Sequence, residues 1–152
     1  MMTRTHLAIV AFAILVLIGY VENKLVFVTI ALIATLIPDI DTEFSSLGKK
    51  RIFRSLQWFV KHRGLIHSFT FLILITILFT LFIPFLAFGF FVGYSLHLFA
   101  DSFTIDGIQP FFPVKKKIAG KIRVGGIVEV SVFVFFVLAD AFLLVMKIVA
   151  YF

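Results

Sequence analysis

The chain contains no cysteine, and only 14% of its 152 residues are charged. Without thiols there is no disulfide, no thiolate ligand and no thiol nucleophile, so a bound metal has to be held by His, Asp, Glu, backbone or water. Internal repeats and low-complexity tracts are absent, apart from a phenylalanine bias of 22 residues. No A-x-A-like site follows the apolar stretch after Arg4, which argues against a cleaved signal peptide. The tail beyond Lys147 has no basic residue.

Apolar surface is what the chain has in excess. A hydrophobic content of 62% and a mean hydropathy of +1.16 exclude an ordinary soluble domain. The reading is an all-α integral membrane protein of the cell or inner membrane, one membrane domain over 1–152. Apolar runs at about 7–21, 25–37, 65–82, 85–100 and 127–150 predict about five transmembrane helices. The first two are short: a helix of about 15 residues covers about 22 Å against a core of about 30 Å, so each thins the bilayer or extends through its flanks. Between the second and third runs, residues 44–60 place Ile52, Phe53, Leu56, Phe59 and Val60 on one face, the pattern of a short amphipathic helix lying in the interface.

The formal charge of +6 comes largely from two loops. Residues 39–63 carry Lys49, Lys50, Arg51, Arg54, Lys61 and Arg63, and residues 101–126 carry Lys115, Lys116, Lys117, Lys121 and Arg123. The positive-inside rule puts both loops in the cytoplasm, with the N-terminus cytoplasmic and the C-terminus outside. Because the basic residues follow the membrane topology, the expected partners are membrane lipids and no nucleic acid is expected.

On this topology the ionisable residues gather at one boundary. His6 opens the first span, Asp39 and Asp41 close the second, His62 and His67 open the third, and His97 and Asp101 close the fourth. Such groups are expensive at this depth unless paired or metal-bound. Each alone has a plain reading: an interfacial histidine, a capped turn, a snorkelling flank. Seven at one level favour a site. His97 and Asp101 are i, i+4 and share a helix face, which Gly89 and Gly93 continue and where a neighbouring helix can come close. Pro38 predicts an extended turn in which Asp39 and Asp41 point the same way. His62 and His67 are about 140° apart on an ideal helix and converge only if a helix starts between them, at Gly64. Glu129 lies at the same level and could supply another carboxylate, whereas Asp140, near mid-bilayer, predicts a polar interhelical contact.

PDID at 38–41, HRGLIHS at 62–68, GYSLHLFADSFTIDGIQPFFP at 93–113 and the early His6 resemble the membrane-bound metal-dependent hydrolases, a family also labelled LexA-binding inner-membrane-associated hydrolases. The resemblance covers most of the chain. It implies a multi-span membrane protein with a metal centre built from His6, Asp39, Asp41, His62, His67, His97 and Asp101, with Thr104, Gly107 and Pro113 as motif residues after the last pair. Nothing in these residues bears on the LexA part of the label.

The chemistry that suits such a set is metal-assisted hydrolysis. Seven nitrogen and oxygen donors exceed the four of a structural zinc, and two divalent ions about 3.5–4 Å apart, Zn or Mn/Mg, would use them all. Metal-activated water is then the nucleophile, with Asp41 or Asp101 as general base. Arg63 is placed to hold an anionic group through its planar fork, which points to a phosphoester or lipid-linked substrate. The alternative is a non-enzymatic metal carrier, sensor or transport protein. A path across the membrane needs polar groups at several depths, yet away from the boundary the first four spans offer little beyond Thr29, Thr35, Thr70, Thr76, Thr80 and Ser95.

Overall fold

Two prolines and two side-chain caps punctuate the apolar runs. The computed structural model describes residues 1–41 and 65–150, the side chains of Ile40 and Asp41 excepted. The expected interfacial helix at 44–60, Gly64, His62 and Arg63 lie outside the described residues. Within them are five α-helices and no strand: α1 (Thr3–Leu17), α2 (Lys24–Leu36), α3 (Phe69–Phe82), α4 (Pro84–Ser102) and α5 (Ile127–Val149).

Asn23 starts α2 by accepting a hydrogen bond from the Val26 amide at 3.3 Å. Pro38 ends it, having no N–H to continue the ladder. The segment Pro38–Asp41 is a 3-10 turn and Ile37 keeps helical angles, so the extended turn expected here does not form. At three residues per turn, the two-residue alternation expected to align Asp39 with Asp41 does not apply. Ser68 caps α3, accepting from the Phe71 amide at 3.1 Å while donating to the Leu65 carbonyl at 2.5 Å. The helix therefore begins at Phe69, after both histidines, and not at Gly64. Pro84 sits in the first turn of α4, where its missing N–H costs nothing.

These stops set the lengths. Thr3–Tyr20, Pro84–Ser102 and Ile127–Val149 are long and apolar enough to cross a membrane, at 18, 19 and 23 residues. The second and third expected spans are shorter helices of 13 and 14 residues, about 20 Å long against a core of about 30 Å.

Packing is ordered by a repeat of four. A Cβ on Gly89 would lie 3.1 Å from the Phe27 carbonyl oxygen, and one on Gly93 would lie 2.1 Å from that of Ala31. One turn further, Thr35 meets His97, so α2 and α4 run parallel in close contact along the glycine face. The close approach anticipated from Gly89 and Gly93 is thus present, with α2 as the neighbour. Phe71 against Tyr94 and Phe79 against Phe90 lay α3 antiparallel to α4. Thr5 against Glu129 and Phe12 against Phe136 lay α5 parallel to α1. Leu72, Phe90, Tyr94, Leu98 and Ile108 form one buried cluster, and Val10, Ile14, Phe27, Ala31 and Val92 a second. The remaining helix faces are apolar and exposed, which suits lipid contact; Leu138 and Phe142 on α5 are both 65% exposed.

Residues 103–126 pair with one another and reach the start of α3 through Pro110. Ile108 pairs with Ile118 and Thr104 with Ile122 in isolated bridges. Gly107 has φ +55° and faces the Ile118 carbonyl so closely that a Cβ would lie 2.1 Å from it. The Pro110 carbonyl accepts from the amides of Phe69 at 2.9 Å and Thr70 at 3.4 Å, satisfying the first turn of α3.

Candidate metal centre

The repeat of four that packs α2 on α4 ends in a polar cluster. His6 comes from the first turns of α1, Asp39 from the 3-10 turn after α2, His67 from the turn before α3, and His97 and Asp101 from the end of α4. All five are buried, His97 completely. His6 Nε2 lies 3.3 Å from Asp101 Oδ1, while His67 Nε2 and His97 Nε2 each lie 3.7 Å from Asp101 Oδ2. His97 Nε2 is also 3.9 Å from Asp39 Oδ1. The rings of His6 and His97 stack at 3.9 Å.

The state of His97 follows from its neighbour. Its Nδ1 is 2.8 Å from the Thr35 carbonyl oxygen, which can only accept, so Nδ1 carries the hydrogen. In the neutral ring Nε2 then presents a lone pair, and that buried atom has no hydrogen-bond partner among the described residues. Among the described residues neither ring nitrogen of His6 has one either, its Nε2 facing Asp101 Oδ1 at 3.3 Å. Orphaned imidazole nitrogens beside carboxylates are what a metal site shows when its ligands are in place. His6, His97 and Asp101 form one group able to hold an ion, and Asp39, His67 and His97 another, with donor atoms within 4.8 Å of one another. Both groups use His97, whose single free nitrogen can ligate only one ion at a time, so they are two placements around one shared ligand. A second ion would draw on Asp41 and His62, whose side chains lie outside the described residues.

Thr3 Oγ1 donates to Asp39 Oδ2 at 3.2 Å, and the Met1 amino group pairs with Asp101 Oδ1. Burial pushes the Asp39 carboxyl above its ordinary range, against the opposing pull of the His6 imidazole. A cation at the centre would reverse that push.

Glu129 is fully buried but does not join the cluster. Its Oε1 accepts from the Met2 amide and from Thr5 Oγ1 at 3.2 Å, and its Oε2 from the Gly125 amide at 2.6 Å. It ties the start of α1 to α5 and so places His6. Thr104 is a second brace: its hydroxyl donates to the Asp101 carbonyl at 2.7 Å and accepts from the Gly107 amide at 3.2 Å. Asp140 does not make the interhelical contact expected of it; its Oδ1 is buried without a partner among the described residues. The Thr35 carbonyl was not foreseeable as the partner of His97, because a backbone oxygen leaves no mark on residue type.

A family profile described as YdjM inner membrane protein matches residues 1–151. The chain belongs to the YdjM inner membrane protein family. That membership and the apolar helices make it a membrane protein, consistent with the resemblance noted above at the level of a membrane-associated family. The family description names neither a reaction nor a metal. Curated proteins and solved structures give no match. In this YdjM family member, then, the function has to be argued from the centre itself.

Proposed function

We propose that the protein is a membrane-embedded metal-dependent hydrolase, with its centre at the cytoplasmic boundary, that acts on a phosphoester or lipid-linked substrate. The observation that carries the reading is the convergence of three imidazoles and two carboxylates, with His97 Nε2 orphaned among the described residues and its tautomer set by Thr35. A donor set of nitrogen and oxygen without sulfur suits zinc or manganese, with magnesium favoured only by the carboxylates. When bound, such an ion supplies an acidified water and a Lewis acid for a phosphoryl oxygen.

The residues of the chain do the rest. Thr35 holds the His97 ring, the His6 ring stacks on it, and the packing of α2 on α4 keeps Asp39 within reach of His97. Asp101 lies beside all three imidazoles, and a carboxylate oxygen left off the ion, of Asp101 or of Asp41, would take the proton of the attacking water. Arg63 serves as the clamp for the anionic group, and Lys115, Lys116 and Lys117 draw it to the surface. The loop charges support the cytoplasmic orientation.

The test uses full-length protein in lipid nanodiscs, loaded with Zn, Mn or Mg and offered a phosphomonoester, a phosphodiester, a lipid phosphate and an acyl ester. Turnover of a phosphoester is expected, lost on chelation. Arg63→Lys should keep the metal and slow turnover roughly ten- to a hundredfold, since about 1.5–3 kcal/mol of charged hydrogen bonding is removed at 1.36 kcal/mol per decade. Metal-replete protein inert on every substrate would favour a carrier or sensor.

A further inference from the structure

An apolar groove of about 590 Å³ runs between α1, α4 and α5, within the size range of small-molecule sites. Phe12, Ala13 and Leu17 line one side, Phe99 and Ala100 another, and Phe136 closes the back. Along α1 it extends from Ile9 to Leu17, roughly 12 Å at 1.5 Å per residue.

We propose that this groove holds an acyl chain of a lipid whose anionic phosphate head group lies at the metal centre, so that the substrate arrives sideways from the bilayer. The head-group half rests on the hydrolase reading above; the chain-binding half does not. Continuity is the first argument. Met1 in the groove wall pairs through its amino group with Asp101 of the cluster, so groove and cluster meet at that residue. Chemistry is the second. Every wall residue is apolar, so an amphiphile seats its polar part beyond the wall, and past the Met1 end lie the polar groups of the cluster. Charge is the third. Ile122 lines that end, pinned by hydrogen bonds to the backbone of Phe103 and Ile105, and its neighbours Lys121 and Arg123 are both exposed. Two cations beside the polar end select an anionic head group over a zwitterionic one.

Lipid tails are as apolar as the groove, so moving a chain from bilayer to groove yields little affinity. What the groove contributes is position: a chain held along α1 fixes the depth and direction of the phosphoester, the kind of alignment that lowers a barrier.

The experiment places the full-length protein in phosphatidylcholine nanodiscs doped with phosphatidic acid that carries a diazirine midway along one acyl chain. After irradiation, adducts are mapped by peptide mass spectrometry. The expected result is labelling of Phe12, Phe99 and Phe136 several-fold above that of Leu138 and Phe142 on the outer face of α5. Unlabelled phosphatidic acid should compete, and added phosphatidylcholine should not. Ala13→Phe fills the groove and should remove the preference; Val16→Trp serves if that variant does not fold. Even labelling of groove and outer face, equal competition by phosphatidylcholine, or groove labelling untouched by the filled variant would each overturn the proposal. Labelling needs no turnover, so groove labelling with no hydrolysis removes the hydrolase reading alone. Hydrolysis of soluble phosphoesters without groove labelling removes the groove alone.

Discussion

Nδ1 of His97 donates to the carbonyl oxygen of Thr35 at 2.8 Å, one helical turn beyond the contact of Gly93 with Ala31. The same register that lets α2 touch α4 therefore sets the tautomer of a buried imidazole and aims its other nitrogen at Asp39 and Asp101. Packing and ligand chemistry are one feature here.

Metal binding is expected to depend on His97 and Asp101 as a unit. Asp101→Asn keeps the shape and removes the charge, and His97→Ala removes the shared donor. Each should lower affinity by more than the roughly 10–100-fold typical of losing an outer partner of a ligand. Metal content of the purified variants decides it, and full stoichiometry in both would sink the assignment.

Gly93→Ala should separate α2 from α4, because the new Cβ would lie 2.1 Å from the Ala31 carbonyl. A loss of about 1–3 kcal/mol is expected from overpacking, together with weaker metal binding as Thr35 withdraws from His97. Gly89→Ala should be milder, with its nearest contacts at 3.1–3.3 Å, and Gly19→Ala, with nothing within 4 Å, close to neutral. Thermal unfolding of the three variants, with metal titrations, tests the order.

Asp39→Asn should change sign with the metal. Burial raises the Asp39 carboxyl above its ordinary value, so between the two the native state keeps a proton that the unfolded state has lost. Stability of the metal-free protein therefore falls as pH rises above that value and through the raised one. At neutral pH the metal-free variant should melt above metal-free wild type. With metal at about a hundred times its Kd, wild type gains about 2.7 kcal/mol and the variant less. Melting curves with metal and with chelator are the check; wild type that outlasts the variant in chelator would count against the argument.

Loop charge predicts that the loops at 39–63 and 101–126 share the cytoplasmic side and that the C-terminus does not. The chain has no native cysteine, so single cysteines at Ser45 and at the C-terminus give clean accessibility probes. Labelling of both from the same side would overturn the orientation.

The all-helical membrane class was legible in the residues because hydropathy is a sum over side chains and needs no contact to be counted. The i, i+4 relation of His97 and Asp101 and the glycine face beneath it were legible for a similar reason: helical geometry converts sequence spacing into direction. Where a cap or a 3-10 turn competed with that geometry, spacing misled. Ser68 moved the start of α3 beyond His67, and Pro38–Asp41 coiled where an extended turn was expected. Glu129, a possible ligand from its level alone, binds three backbone and hydroxyl donors as a brace instead.

Composition, span positions and the boundary level of the ionisable residues are thus properties of the sequence by itself, since each depends only on residue type and order. Which residues meet was decided by the tertiary structure. The meeting of His6, Asp39, His67, His97 and Asp101 requires helices far apart in the chain to pack in one register, and that register rests on backbone contacts, at the Ala31 and Thr35 carbonyls, that no side-chain pattern encodes.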